Sequence, residues 1–200
     1  MTSRKHGRRT AADFLAELEQ DPEYQRSRAK ADTEHRARTD ALTRAEQPIV
    51  KDLRKAGFDV DSVWDLVNTS SPYPEALPIL IAHLERGGYP PRIFEGAARA
   101  LAVRPASVYW YRLRALYLQA TDRNETEGLA VALAAAAAPE HLDDLIAVLL
   151  DKTGSGYRGH FIGAVRRIGG ERGREVIGAL RDDPVLGKEA TAELQRRQHR

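Results

Sequence analysis

The feature that most restricts the fold of this chain is a recurring phrase. Pro74-Glu75-Ala76-Leu77-Pro78-Ile79-Leu80-Ile81-Ala82-His83-Leu84 returns as Pro139-Glu140-His141-Leu142-Asp143-Asp144-Leu145-Ile146-Ala147-Val148-Leu149. A small-residue segment follows each. Gly96-Ala97-Ala98-Arg99-Ala100-Leu101 matches Gly128-Leu129-Ala130-Val131-Ala132-Leu133 and Gly163-Ala164-Val165-Arg166-Arg167-Ile168. The opening glycines lie 32 and 35 residues apart. A period in that range marks stacked helix pairs, because one pair alone cannot bury its apolar face. Leu77, Leu80, Ile81 and Leu84 keep the i, i+3, i+4, i+7 spacing of one buried helical face, as do Leu142, Leu145, Ile146 and Leu149.

The regular pairs are read at 74–86 with 91–103, 106–119 with 125–138, 139–151 with 157–168, and 171–182 with 184–197. Before them, 47–68 reads as an imperfect pair that caps the array and starts afresh at Pro48. Gly57 is placed to end its first helix and Asp61 or Ser62 to start its second. Asn68-Thr69-Ser70-Ser71-Pro72 is a turn cluster. Residues 1–9 are a basic tail. Residues 10–46 form a polar helical arm, with a capping box at Thr10 and Asp13 and a second helix opened by Asp21-Pro22. From Gln25 to Ala41 the only apolar residue type is alanine, so no core face is available there. Residues 47–200 hold the helix pairs. No alternating strand pattern of any length occurs.

These phrases resemble HEAT repeats, of the short kind also found in phycobilisome-lyase-like domains. The likeness rests on the proline-led first helices, the Gly-Ala-x-Arg-x-Leu/Ile second helices, and Glu171 through Pro184. It covers about residues 72–197. It implies an all-α fold: a right-handed α-solenoid of HEAT-like helix pairs preceded by the arm. It further implies a concave side, made by second helices, that binds proteins. The second pair departs from the pattern, with Val108-Tyr109-Trp110-Tyr111-Arg112-Leu113-Arg114 in place of aliphatic residues.

Composition narrows function less than fold. Lys plus Arg number 31 against 29 Asp plus Glu, so a polyanion partner gains little from net charge. The arginine-rich usage fits a GC-rich bacterial genome. There is no cysteine, which removes disulfides, thiolate metal sites and thiol nucleophiles. Arg8-Arg9 resembles a twin-arginine signal, but an acidic segment follows it. The weakly polar run Leu129–Ala138 is half of a bilayer span. A cytoplasmic protein without a membrane partner is expected.

Candidate sites carry two readings each. Arg99 and Arg166 hold equivalent repeat positions, so Arg92, Arg99, Arg166 and Arg167 form either a basic stripe for acidic segments or phosphates, or ordinary solvated helix faces. Tyr109, Trp110 and Tyr111 point about 100° apart on a helix, so at least one is exposed. With Arg112 they make either a binding patch or inter-repeat packing by Trp110 and Tyr117. Phe14, Leu15, Leu18 and Tyr24 of the arm either dock a partner or fold back on the array. Gly154-Ser155-Gly156-Tyr157-Arg158-Gly159 spells G-x-G-x-x-G, but helical neighbours favour a turn over a dinucleotide site. The six histidines show no metal-ligand spacing, and no cofactor is expected. The leading expectation is a non-enzymatic adaptor or scaffold that holds a protein partner. The alternative is a DNA-binding protein related to the alkylpurine DNA glycosylases, which share the repeat type. An accessory factor for a cofactor-bearing protein is a third reading.

Overall fold

The computed structural model describes residues 10, 15, 18–152 and 157–196. The described residues are mainly helical, with no strand among them. The chain divides into two compact units, Met1–Arg44 and Ala45–Arg200.

Helix α1, Pro22–Lys55, contributes to each unit. Its start follows from two residues. The Asp21 carboxylate accepts the Glu23 N–H at 2.8 Å, and Pro22 sits in the first turn, where a missing N–H costs nothing. Through Arg44 every residue is exposed except Tyr24 and Leu42, which are half-buried. In the first unit Leu18 is also half-buried; Phe14 lies outside the described residues. From Ala45 the character of α1 changes: Glu46, Ile49, Val50 and Leu53 are buried. The sequence predicts a new helix near Pro48, yet the helix runs through it. Proline there removes the bond to the Arg44 carbonyl. Arg44 is an exposed residue.

Gly57, at φ +93°, ends α1 in a left-handed conformation that side chains disfavour. Ser62 caps helix α2, Val63–Asn68, with Asp65 closing the reciprocal bond. The buried Glu46 carboxylate accepts the Ser62 hydroxyl at 2.9 Å and the Val63 N–H at 2.7 Å.

The pairs follow. A 3-10 turn, Pro74–Ala76, leads into α3, Leu77–Arg86, and then α4, Pro91–Ala100. Another, Arg104–Tyr109, leads into α5, Trp110–Gln119, and then α6, Arg123–Ala136. Pro139–His141 leads into α7, Leu142–Leu150, and then α8, Gly159–Ile168. Helices α9, Gly170–Ala179, and α10, Gly187–Gln195, follow. Within the second unit, α3, α5, α7 and α9 pack on α4, α6, α8 and α10 respectively. The second helices also pack in succession, α2 on α4, α4 on α6, α6 on α8 and α8 on α10. Small residues set how closely they approach. A Cβ on Gly128 would lie 3.0 Å from both the Cα and the carbonyl oxygen of Glu95, so α4 and α6 meet almost backbone to backbone. At the matching position of α8, a Cβ on Gly163 would meet nothing within 4 Å.

Candidate binding face on the second helices

Arg99, Val131 and Arg166, at matching positions of the recurring phrases, come from α4, α6 and α8, and all three residues are half-buried. Its charges are unequal in availability. Arg99 donates from Nε to Glu95 at 2.8 Å and from Nη2 to Glu127 at 2.9 Å. Glu127 belongs to α6, so this arginine also ties two helices together. Arg92 lies over the Trp64 ring at 5.2 Å, a cation–π contact on α2. Arg166 has no ion-pair or hydrogen-bond partner among the described residues.

Arg167 performs a different task. Helix α6 ends at Ala136 and is followed by two alanines and Pro139, without a glycine to turn the chain back on its carbonyls. The last carbonyls of a helix lack partners within it. Here they are met by side chains from the first helix of the same pair and from the pair that follows. Arg167 Nη2 donates to the carbonyls of Ala134 at 2.8 Å, Ala137 at 3.2 Å and Ala135 at 3.4 Å. Trp110 Nε1 donates to the Leu133 carbonyl at 3.1 Å. Burial lowers the Arg167 pKa, and the charge of Arg104 adds to this.

Trp110 has no exposed surface. Its indole stacks on His141, with centroids 4.5 Å apart and planes 6° from parallel. His141 Nδ1 accepts the Ala138 N–H at 3.1 Å, and burial lowers its pKa, favouring the neutral ring this bond requires. Tyr117 is likewise buried and meets Phe161 edge-on. The two rings thus lie between pairs, and Trp110 cannot touch a partner directly. Tyr109 is half-buried and Tyr111 is 58% exposed. Arg112 lies over the Tyr109 ring at 5.4 Å and grips Glu85 with two bonds, at 2.6 and 2.5 Å. The Arg112 bond holds the Glu85 carboxyl below its ordinary pKa, and the same bond raises that of Arg112.

Beside Arg99 the surface opens into a cleft of about 540 Å³. Val67, Pro72, Leu77, Val103 and Val131 give it apolar walls, and Arg99 gives it a cation. The turn that forms one side is pinned by Tyr73, whose hydroxyl donates to the Ala100 carbonyl at 3.0 Å. Burial raises the Tyr73 pKa, so the phenol keeps that proton. Sequence reasoning placed a turn at Asn68–Pro72 but no cavity. The only signal was the cluster's position directly before a proline-led helix.

A second polar cluster sits at the α3–α4 turn. His83 is 2% exposed, with Nε2 at 3.1 Å from Asp52 and Nδ1 at 2.6 Å from the Tyr89 hydroxyl. Burial lowers the His83 pKa against the opposing pull of Asp52. A neutral ring beside a carboxylate carries its proton on Nε2, so Nδ1 accepts from Tyr89. Burial raises the Tyr89 pKa, which keeps the phenol protonated. The chain Asp52–His83–Tyr89 therefore fastens the turn to the end of α1.

Gly154, Ser155 and Gly156 of the glycine motif lie outside the described residues. The other half is committed to the fold. Arg158 is buried and donates to the Leu149 carbonyl at 3.0 Å, and Tyr157 accepts from Arg123 Nε at 2.8 Å. Among the described residues no three His, Asp or Glu side chains gather where a metal ion would fit. No described helix is long and apolar enough to cross a membrane. No protein-family model matches the chain, and no curated protein or solved structure matches it significantly.

Proposed function

We propose that residues 45–200 form a HEAT-like α-solenoid that works as a non-enzymatic adaptor, holding a protein partner on the face built by its second helices. The observation that carries this reading is the succession of those helices: α2, α4, α6, α8 and α10 each pack on the next. In such an array, residues at equivalent repeat positions form one continuous row. The row holds an unpaired cation at Arg166 and an apolar cleft beside Arg99, a mixture suited to protein recognition. The nucleic-acid alternative has less support, because Arg92, Arg99, Arg112 and Arg167 spend their donors or charge inside the fold.

The test uses proteins that co-purify with the tagged chain from its native cell and are then recaptured by the purified protein. Arg166→Glu is expected to reduce recapture about 30-fold, the effect of losing a hot spot worth about 2 kcal/mol. Lys51→Glu, on the exposed face of α1, serves as control. Equal capture by both variants, or none by the unaltered chain, refutes the reading. Anisotropy with labelled duplex DNA tests the alternative: binding that weakens steeply with salt would favour it over the adaptor.

A further inference from the structure

We propose that the cleft between the end of α1 and helix α3 is a small-molecule site, and that its ligand is an organic monoanion, a carboxylate on an apolar body. Its lining comes from residues 52–56 and 78–86 alone. The site therefore takes nothing from the second helices, and it does not depend on a protein-docking face there. The cleft measures about 530 Å³, within the range of ligand pockets, roughly 300–1,000 Å³. Ala56, Pro78, Ile79 and Ala82 give it apolar surface, and Asp52, Lys55, His83 and Arg86 give it polar groups.

The class of ligand follows from which polar groups are already engaged. The Asp52 carboxylate holds Lys55 Nζ on Oδ1 at 3.1 Å and His83 Nε2 on Oδ2 at 3.1 Å. The neutral His83 ring spends its N–H on Asp52 and its lone pair on the Tyr89 hydroxyl, 2.6 Å away. Every side-chain acceptor in the cleft thus has a donor. The spare capacity lies in the cations. An ammonium carries three N–H donors, and Lys55 gives one to Asp52. Arg86 reaches His83 Nδ1 at 3.4 Å and the Tyr89 hydroxyl, and no carboxylate pairs with it among the described residues. Charge then selects the ion. Among the side chains lining the cleft, Lys55 offsets Asp52 and the charge of Arg86 is left over. A carboxylate matches that single charge and the fork of the guanidinium. A phosphate monoester carries about −1.5 to −2 at neutral pH, and its surplus would face Asp52. An ammonium would have to displace Lys55 beside an unpaired guanidinium. An amide accepts the same N–H but forgoes the charge.

Three probes of similar shape separate these cases: phenylpropanoate, phenylpropanamide and phenylpropyl phosphate. Titration of the full chain by heteronuclear NMR at neutral pH should show saturable binding of the carboxylate. It should bind about fivefold more tightly than the amide, the upper end for an exposed ion pair, and no more weakly than the phosphate. Arg86→Gln should bring the carboxylate down to the level of the amide and leave the amide unchanged. Ala82→Phe, at an exposed position of α3, should abolish binding by filling the cleft; Ala56→Phe, exposed on the opposite wall, should do the same if Ala82→Phe does not fold. Amide binding as tight as the carboxylate, or an Arg86→Gln protein that still prefers the carboxylate, overturns the charge argument. Tighter binding of the phosphate overturns the monoanion. Binding that survives a filled cleft overturns the site, and no saturable binding of any probe overturns the proposal entirely.

Discussion

Replacing Trp110 tests whether the end of α6 is held from outside. Trp110 is wholly buried, stacks on His141 and donates to the Leu133 carbonyl. Trp110→Ala removes a large core side chain, which costs about 3–5 kcal/mol. It also leaves a helix-end carbonyl without a donor, about 1–3 kcal/mol more where water stays out. The sum, about 4–6 kcal/mol after partial relaxation, approaches the whole stability of an ordinary domain, about 5–15 kcal/mol. Trp110→Phe separates the two contributions. It keeps most of the ring and deletes the N–H, so it should cost about 1–3 kcal/mol. Urea unfolding followed by far-UV circular dichroism measures both, with the denaturant slope checked for constancy. A Trp110→Phe protein within about 0.5 kcal/mol of the unaltered one would show that the Leu133 bond contributes nothing. A Trp110→Ala loss below about 2 kcal/mol would refute the burial itself.

Two glycines in matching phrases should respond with opposite signs. Gly128→Ala must push α6 from the Glu95 backbone and should lose about 1–3 kcal/mol. Gly163→Ala meets open space and should gain about 0.5–1 kcal/mol from helix propensity; thermal or urea unfolding reads both. Arg167→Met should cost about 1 kcal/mol by freeing the α6 carbonyls, and amide exchange should quicken in the last turn of that helix. Stability should fall in acid. His83 has a folded pKa depressed below its ordinary 6.5, so the unfolded chain binds the proton more readily. Its contribution is complete above 6.5 and fades as pH drops from there toward the folded value. Asp52, lowered by Lys55 and His83 from 3.8, adds a further loss below that value. His83→Gln should flatten the slope on the acid side of about pH 6.5; an unchanged slope would assign the effect to other groups, His141 first.

The helices were legible because their signals are local. Leu77, Leu80, Ile81 and Leu84 are all buried, as their spacing predicts. Gly57 and Ser62 end and start helices at the positions their chemistry selects. Pro48 misleads because proline ordinarily breaks a helix, whereas here the helix continues through it, with Arg44 one turn earlier exposed. The site was less legible because side-chain destinations are not local. Trp110 and Arg167 both have the character of binding residues, yet each reaches a carbonyl 23 to 33 residues away. Nothing near either residue announces an uncapped helix end; only the missing glycine after Ala136 hints at it. Arg99 and Arg166 hold matching positions in recurring phrases, but Glu127 on the next second helix pairs with one and nothing described pairs with the other.

Stacked helix pairs ordinarily shed their outermost member first, since each touches only its neighbours. The α6 terminus changes that order. Its carbonyls are held by an indole from its own pair's first helix and by a guanidinium from the pair that follows. Peeling α8 away withdraws the guanidinium, and no glycine stands ready to re-form the turn. Loss at the C-terminal side therefore propagates inward to a helix some 30 positions back. The middle of the array should melt in one cooperative step with the pair beyond it, and truncations ending before Arg167 should be poorer folders than their length suggests.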